Sequence, residues 1–156
     1  MKLIFLDFDG VINTEKHIYE RHRKRENILE TSFDPNAMKY LKEIVDKTEA
    51  EIVVTSTWRL GRFLKTGRWE EVEDEFRKYD LPDFEGYTPD IDNAIRGDEI
   101  QKWLDTEGRK LEVNSFVIID DDNDMGIYTE TNLVQTDRYY GIRDIDAKKA
   151  IEILNK

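Results

Sequence analysis

The chain has 156 residues, and 35 acidic residues against 24 basic ones give it a net charge of −11. This balance excludes a uniformly basic surface for coating nucleic acid. Because cysteine is absent, disulfides, zinc–thiolate sites and cysteine nucleophiles are excluded as well. No apolar stretch approaches the ~18 residues of a membrane helix. We therefore expect a cytoplasmic protein in which residues 1–156 form one domain.

The chain begins with an apolar run, Leu3 to Leu6, which is too short for a signal peptide and is typical of a first strand. Asp7, Asp9 and Gly10 follow it directly. Alternating side chains in a strand put residues i and i+2 on one side, so the two carboxylates are predicted to lie together. Carboxylates held this close repel unless a cation or a shared proton intervenes. Gly10 allows the chain to turn away with a positive φ.

The remaining elements alternate between helical and extended patterns. The polar segment 13–32 carries a basic stretch, Arg21 to Arg25, and Asp34-Pro35 then begins a helix as cap and first-turn proline. The elements predicted after it are a strand at Glu51–Thr55, a helix at Trp69–Tyr79, a short strand near Tyr87, a helix at Asp98–Thr106, a strand at Ser115–Ile119, a short strand at Leu133 and Val134, and a helix at Asp144–Leu154.

This alternation predicts βαβ units and a parallel sheet of the α/β class. Two further strands also end in polar side chains: Thr55 and Ser56 follow one, and Asp120 and Asp121 follow the other. Ligands of parallel sheets bind at the carboxyl ends of the strands. The sequence therefore predicts one acidic, hydroxyl-bearing site at which Asp7 meets these residues.

Four segments in this order, DFDGV, VVTSTWR, RGDEIQKWL and VIIDDDND, resemble the motifs of the haloacid dehalogenase (HAD) superfamily. The SxWR-like second motif and the final TDRYYGIRDIDAKKAIEIL look most like the capless phosphatase domains of nucleic-acid end repair, as in polynucleotide kinase-phosphatases. The resemblance implies a three-layer α/β/α Rossmann-like fold with about five parallel strands in the order 5-4-1-2-3. Neither gap between the motifs has room for a large cap domain, so we expect an open site.

The resemblance also implies roles for the acidic pair. Asp7 is the predicted nucleophile, which would form an aspartyl-phosphate and split one difficult step into two. Asp9 is the predicted general acid and base, which would protonate the leaving oxygen and then activate water.

The candidate phosphate-binding residues are Thr55, with Ser56 as its alternate, Arg96 and Gly10. Thr55 would donate a hydrogen bond to a phosphoryl oxygen, and Arg96, at the start of a helix, would neutralise the phosphate. Relatives more often have lysine at the position of Arg96.

The implied cofactor is Mg²⁺, which prefers oxygen ligands and binds one or two carboxylates together with the phosphate. Its predicted ligands are the Asp7 carboxylate, the backbone carbonyl of Asp9 and an acidic side chain after the fourth strand. Asp120 and Asp121 are the favoured pair there, and Asp124 is an outside candidate.

These features favour a Mg²⁺-dependent phosphomonoesterase for nucleic-acid ends, DNA or RNA, or for nucleotides. The first alternative is a phosphatase of small metabolites or phosphoproteins. The second is a non-catalytic phospho-acceptor domain, in which the adjacent acidic pair would follow the first strand rather than the fourth. Gly61 to Gly67 lacks the order of a P-loop, so a kinase or repair partner would be a separate chain.

Two features could contact nucleic acid, and each has a plain structural alternative. The basic stretch Arg21 to Arg25 would either guide a polyanion to Asp7 or form a solvated helix face. Trp58 would either pack in the core, which is favoured, or stack on a base.

Overall fold

The computed structural model describes all residues, 1–156, around one parallel sheet. Its strands are β1 (Lys2–Leu6), β2 (Glu51–Val54), β3 (Gly86–Tyr87), β4 (Ser115–Asp120) and β5 (Leu133–Gln135). They lie in the order β3-β2-β1-β4-β5 with every neighbouring pair parallel. This is the predicted order 5-4-1-2-3 read from the other edge, so the α/β prediction with β1 at the centre is confirmed.

Five α-helices accompany the strands, four of them between strands and the fifth after β5. They are α1 (Glu15–Arg23), α2 (Pro35–Thr48), α3 (Arg68–Lys78), α4 (Arg96–Thr106) and α5 (Asp144–Leu154), and short 3₁₀ segments cover Thr57–Phe63, Gly108–Lys110 and Gly126–Tyr128. Asp34 caps α2 by accepting from the Asn36 amide, with Pro35 in the first turn as predicted. None of the helices combines the length and apolar character that crossing a membrane requires.

The alternation of side chains along β1 divides the core into two layers. Ile4 and Leu6 belong to a cluster of 24 buried residues that includes the apolar faces of α2, α3 and α5. Leu3 and Phe5 belong to a smaller cluster of eight residues that includes Ile100 and Trp103 of α4. Burying a side chain of this size stabilises a fold by about 1.5–3 kcal/mol. The sheet is therefore covered on both faces, and no large cap domain is inserted between the strands.

The main difference from the sequence prediction is α1, which occupies part of the segment interpreted only as polar. The signal missed was its cap, because the Thr14 hydroxyl accepts from the His17 amide at 3.1 Å. The basic stretch is also divided: Arg21 is buried and donates to the carbonyls of Asn27 and Glu30, whereas the four residues after it are exposed. Arg21 thus holds the following loop and fits neither interpretation of the stretch.

Several boundaries differ by one or two residues. β2 ends at Val54 rather than Thr55, β4 extends to Asp120, and α3 covers Arg68–Lys78 rather than Trp69–Tyr79. α4 begins at Arg96, where the family motif predicted a helix start, rather than at Asp98, which the helical pattern predicted, because its first amides are satisfied by distant groups. The Asp124 carboxylate accepts from the Arg96 amide and the Asp124 carbonyl from the Gly97 amide. A helix start stabilised in this way has no local cap signal.

Candidate active site

The site forms where the sheet hydrogen bonds continue one residue beyond the strands. The Asp7 amide donates to the Ile119 carbonyl at 3.0 Å, and the Thr55 amide donates to the Leu6 carbonyl at 2.9 Å. These bonds fix the backbone of Asp7 at the end of β1, between the residue that follows β2 and the last residues of β4. The strand ends therefore meet as the sequence predicted.

Three carboxylates come together at this point. Oxygen atoms of Asp7, Asp120 and Asp121 lie within 4.8 Å of one another, and Asp7 and Asp120 are only 8% and 2% exposed. A compact set of oxygen ligands suits a hard divalent cation such as Mg²⁺. Asp124 lies outside this cluster, since its carboxylate is used at the start of α4.

Asp9 departs from the prediction that its carboxylate would lie with that of Asp7. Its side chain is exposed and outside the cluster, and it accepts hydrogen bonds from Asn13 Nδ2 at 2.8 Å and from Trp58 Nε1 at 3.2 Å. The strict alternation of a strand does not extend to Asp9, because β1 ends at Leu6 and the chain turns at Gly10. The two aspartates therefore lie in different environments.

Gly10 is required where the first loop meets the loop after β4. Its φ is +76°, as the sequence predicted, and a Cβ at this position would overlap the carboxylate of Asp121. Its carbonyl accepts from the Thr136 hydroxyl at 2.8 Å. A glycine here thus allows the acidic side chain to approach the backbone closely.

Arg96 supplies the positive charge of the site. Its Nη1 lies 3.1 Å from Asp7 Oδ1 and 3.3 Å from Asp120 Oδ2. The same atom lies 3.4 Å from the hydroxyl of Thr55, which is fully buried. One guanidinium nitrogen therefore faces side chains from three strand ends. Ser56 does not join them, because its hydroxyl accepts from the Trp58 amide at the start of the 3₁₀ segment.

The electrostatics of the cluster favour a bound proton or cation. Burial raises the pKa of Asp7, against the opposing effect of Arg96. Burial, and then the charge of Asp7, raise the pKa of Asp120 to about 8, although Arg96 lowers it in part. Two buried carboxylates sharing one guanidinium are incompletely neutralised, so a divalent cation would stabilise the ionised pair.

Two further arginines lie near the site, and although both belong to the motifs of the family resemblance, the sequence predicted no contact for either. Arg138 Nε donates to Asp121 Oδ2 at 2.8 Å, from the TDRYYG segment that follows β5. Arg59 is 1% exposed and donates to the carbonyls of Thr55 and Thr88, both at 2.7 Å. Its partners lie in two different loops, and only the fold brings these loops together.

A parallel sheet in this order, with acidic strand ends grouped around a basic helix start, defines a HAD-type α/β domain. A family described as the HAD domain in Swiss Army Knife RNA repair proteins matches residues 3–147. The chain belongs to this family, which confirms the resemblance drawn from its motifs. The matched range includes every candidate site residue and all five strands except Lys2, the first residue of β1. No curated protein and no solved structure matches the chain.

Proposed function

We propose that this protein is a Mg²⁺-dependent phosphomonoesterase for nucleic-acid ends, and that it acts through an aspartyl-phosphate on Asp7. The observation that carries the proposal is the grouping of Asp7, Asp120 and Arg96 at the carboxyl edge of the sheet. Phosphoryl transfer needs an in-line nucleophile and neutralisation of the phosphoryl oxygens, and these side chains provide both.

In the first half-reaction, a carboxylate oxygen of Asp7 attacks phosphorus, and the bond from phosphorus to the leaving oxygen breaks. Arg96 and the Thr55 hydroxyl donate hydrogen bonds to the phosphoryl oxygens. Arg96 Nη1 lies 3.1 Å from Asp7 Oδ1 and 3.4 Å from the Thr55 hydroxyl, which supports this role because the one guanidinium nitrogen is close to both side chains. Preorganised donors of this kind stabilise charge as it develops.

Asp9 donates the proton to the leaving oxygen in the same step. In the second half-reaction it accepts a proton from the water that attacks the phosphorus of the intermediate, which releases phosphate and restores both aspartates. The hydrogen bonds from Asn13 and Trp58 hold its carboxylate in one orientation. Orientation matters because general acid–base catalysis requires hydrogen-bond distance to the reacting oxygen.

The residues that would hold the cofactor are Asp7, Asp120 and Asp121, with the backbone carbonyl of Asp9 as a fourth ligand. Their all-oxygen chemistry fits Mg²⁺. When bound, Mg²⁺ supplies charge neutralisation on the phosphoryl oxygens.

The family and the absence of a cap support a nucleic-acid end, DNA or RNA, as the substrate. The family takes its description from RNA repair proteins, and Asp9 is exposed at the open edge of the sheet. An open site admits the end of a large molecule. We also propose that residues 1–156 form one domain, because both core clusters pack on the same sheet.

The decisive test compares esters and metal conditions. Rates would be measured on oligonucleotides with a 3′-phosphate or a 5′-phosphate, on a nucleotide and on a sugar phosphate. We expect EDTA to stop hydrolysis, Mg²⁺ to restore it, and Asp7→Asn to abolish it. A preference for the sugar phosphate would contradict the nucleic-acid assignment, and full activity of Asp7→Asn would contradict the mechanism.

A second measurement tests the covalent step directly. Beryllofluoride mimics a phosphoryl group on a carboxylate, so with Mg²⁺ it should form a stable adduct on Asp7, visible by fluorine NMR. Asp7→Asn should form none. A long-lived phosphoryl group without turnover would instead indicate a phospho-acceptor domain.

A further inference from the structure

A cleft of about 400 Å³ has Asp9 in its wall and none of the three clustered carboxylates. It is lined by Trp58, Leu64 and Trp69, and by Gly61 and Arg68. Its volume is in the range of pockets that bind small molecules. Asp9 is the only residue of the proposed machinery that lines it, because Asp7, Thr55, Arg96 and Asp120 do not.

The position of the cleft relative to Asp9 indicates which part of a substrate it faces. In the proposed function, Asp9 gives its proton to the leaving oxygen, while Asp7 and Arg96 face the phosphoryl group. A cleft that includes Asp9 but not the phosphoryl-binding residues therefore lies on the leaving-group side. The part of the substrate that enters it is the group attached to the leaving oxygen.

The chemistry of the walls favours a flat aromatic group. Two indole rings line the cleft, and the Arg68 guanidinium lies 5.1 Å over the ring of Trp58. Bases stack on both aromatic rings and arginine planes. Arg68 is the only basic residue in the lining, so it adds positive charge where a phosphorylated nucleoside would approach an otherwise acidic protein. The hydroxyls of Thr57 and Thr66 can bond to the edge of a base.

We infer that this cleft binds the base of the terminal nucleoside, so that the enzyme recognises the nucleoside from which it removes phosphate. The inference rests on the proposed function for its orientation, since Asp9 defines the leaving-group side. A leaving group without a base, such as a bare ribose, lacks the π-face that these walls accommodate.

The kinetic test compares a nucleoside monophosphate with ribose phosphate, the same ester without a base. We expect kcat/KM to be about tenfold higher for the nucleotide, as the stacking of one base would produce. Gly61→Phe should reduce this ratio to near one by filling the cleft. A Cβ at Gly61 meets only Leu64 Cδ1, at 4.0 Å, so a side chain can leave the backbone here without a clash at its first atom. Leu64→Ala should reduce the ratio partially.

The matched control is Phe63→Ala, which truncates a neighbouring side chain that is 76% exposed and lies outside the cleft. It should change neither this ratio nor the rate on ribose phosphate. A wild-type ratio near one, or a ratio that Gly61→Phe does not reduce, would overturn the inference.

Adenosine alone provides a readout that does not require turnover. It should quench the fluorescence of Trp58 and Trp69 in a saturable manner in the wild-type protein, but not in Gly61→Phe. If the protein hydrolysed none of the esters but still bound adenosine, the proposed function would be contradicted and the cleft would still be supported. The absence of saturable quenching, with hydrolysis intact, would contradict the cleft alone.

Discussion

Asp7 and Asp9 are two residues apart, yet their surroundings differ in a way that suits the two roles proposed for them. Asp7 is 8% exposed and faces a guanidinium and two carboxylates, whereas Asp9 is exposed and held by an amide and an indole. A nucleophile benefits from a fixed, charge-compensated position, and a proton donor benefits from access to the leaving oxygen. This division of roles makes predictions for single side chains.

Replacing Asp9 should affect esters according to their leaving group. Asp9→Ala should lower kcat on an alkyl phosphate such as a nucleotide by about 10²–10⁴-fold, because the leaving alkoxide needs a proton. The loss should be much smaller on p-nitrophenyl phosphate, whose leaving group needs none. Asn13→Ala, which keeps the carboxylate but removes one donor to it, should show the same pattern with smaller losses. Equal losses on the two esters would contradict the role of Asp9.

Asp120→Asn should remove a metal ligand and, in the absence of metal, raise the thermal stability of the folded protein at high pH. Between about pH 4 and about pH 8 the folded wild-type protein holds a proton on Asp120 that the unfolded chain releases, because the folded pKa is raised to about 8. The metal-free wild type therefore loses stability as the pH rises through this window. With EDTA at about pH 9, Asp7 and Asp120 of the wild type are both ionised and repel each other. The variant lacks this repulsion and should melt a few degrees higher than the wild type.

Thermal melts with and without Mg²⁺ complete that measurement. Mg²⁺ should raise the Tm of the wild type and leave that of Asp120→Asn nearly unchanged, since a ligand stabilises only a state that binds it. A variant that responds fully to Mg²⁺ would show that Asp120 is not a ligand. A variant that melts below the metal-free wild type at about pH 9 would contradict the raised pKa of Asp120.

The sequence predicted which residues lie at the strand ends more successfully than it predicted the side chains that contact them. Asp7, Thr55 and Asp120 could be predicted because an apolar run that stops abruptly marks a strand end, and parallel strands end at one edge. The contacts of Asp9 with Asn13 and Trp58, and of Asp121 with Arg138, could not be predicted in this way. They depend on how loops are placed in three dimensions, and periodicity carries no information about that placement.

At the scale of whole elements, the buried side chain of Arg59 links helix α4 to the loops that follow β2 and β3. Arg59 donates to carbonyls after β2 and β3, and its Nη2 lies 3.6 Å from Glu99 of α4. A planar guanidinium directs five donors in a fixed geometry, which the three donors of a lysine ammonium do not provide. The side chain thereby holds Thr55 and α4 in a fixed relationship.

Arg59→Met should therefore destabilise the protein by about 3–5 kcal/mol, because buried carbonyls and Glu99 lose their partner. Urea unfolding followed by circular dichroism measures this loss. The control is Arg23→Met, which alters an exposed residue of α1 and should change stability by less than about 0.5 kcal/mol. Similar unfolding midpoints for both variants would show that the buried network contributes little.

The start of α4 depends on close packing at Gly97. A Cβ at this position would overlap the backbone of Met125, so Gly97→Ala should push the helix away from the loop after β4 and displace Arg96. We expect kcat to fall at least tenfold, while the protein remains folded. Gly108→Ala is the matched control, because its Cβ would meet no atom closer than 3.4 Å. Steady-state kinetics of the two variants compare them, and equal kcat values would contradict the packing argument.

On the scale of the whole molecule, the net charge of −11 opposes the approach of a polyanion. Raising the salt concentration from about 0.01 M to about 0.15 M shortens the screening length from about 30 Å to about 8 Å. We therefore expect kcat/KM on a phosphorylated oligonucleotide to rise severalfold over this range, and that on a nucleoside monophosphate to rise less. A fall with salt would instead indicate that a basic patch such as 23–25 guides the substrate by counterion release.

The overall architecture could be predicted further than the local detail. The alternation of apolar runs with helical patterns determined the parallel sheet, and the family resemblance supplied the strand order. α1 could not be predicted in the same way, because its residues are mostly polar and it is stabilised by the Thr14 cap and its surroundings rather than by an apolar face. The helical pattern placed the start of α4 at Asp98 for a related reason, since its cap comes from the distant Asp124, and only the family motif predicted a helix start at Arg96.

The lengths of the outer strands have a consequence for the behaviour of the protein at high concentration. The sheet ends at β3, with two residues, and at β5, with three, and these are its shortest strands. Each border offers few unpaired backbone groups on which a second molecule could add a strand. Edge-to-edge aggregation is therefore disfavoured by the shape of the sheet itself, in addition to the mutual repulsion of acidic molecules.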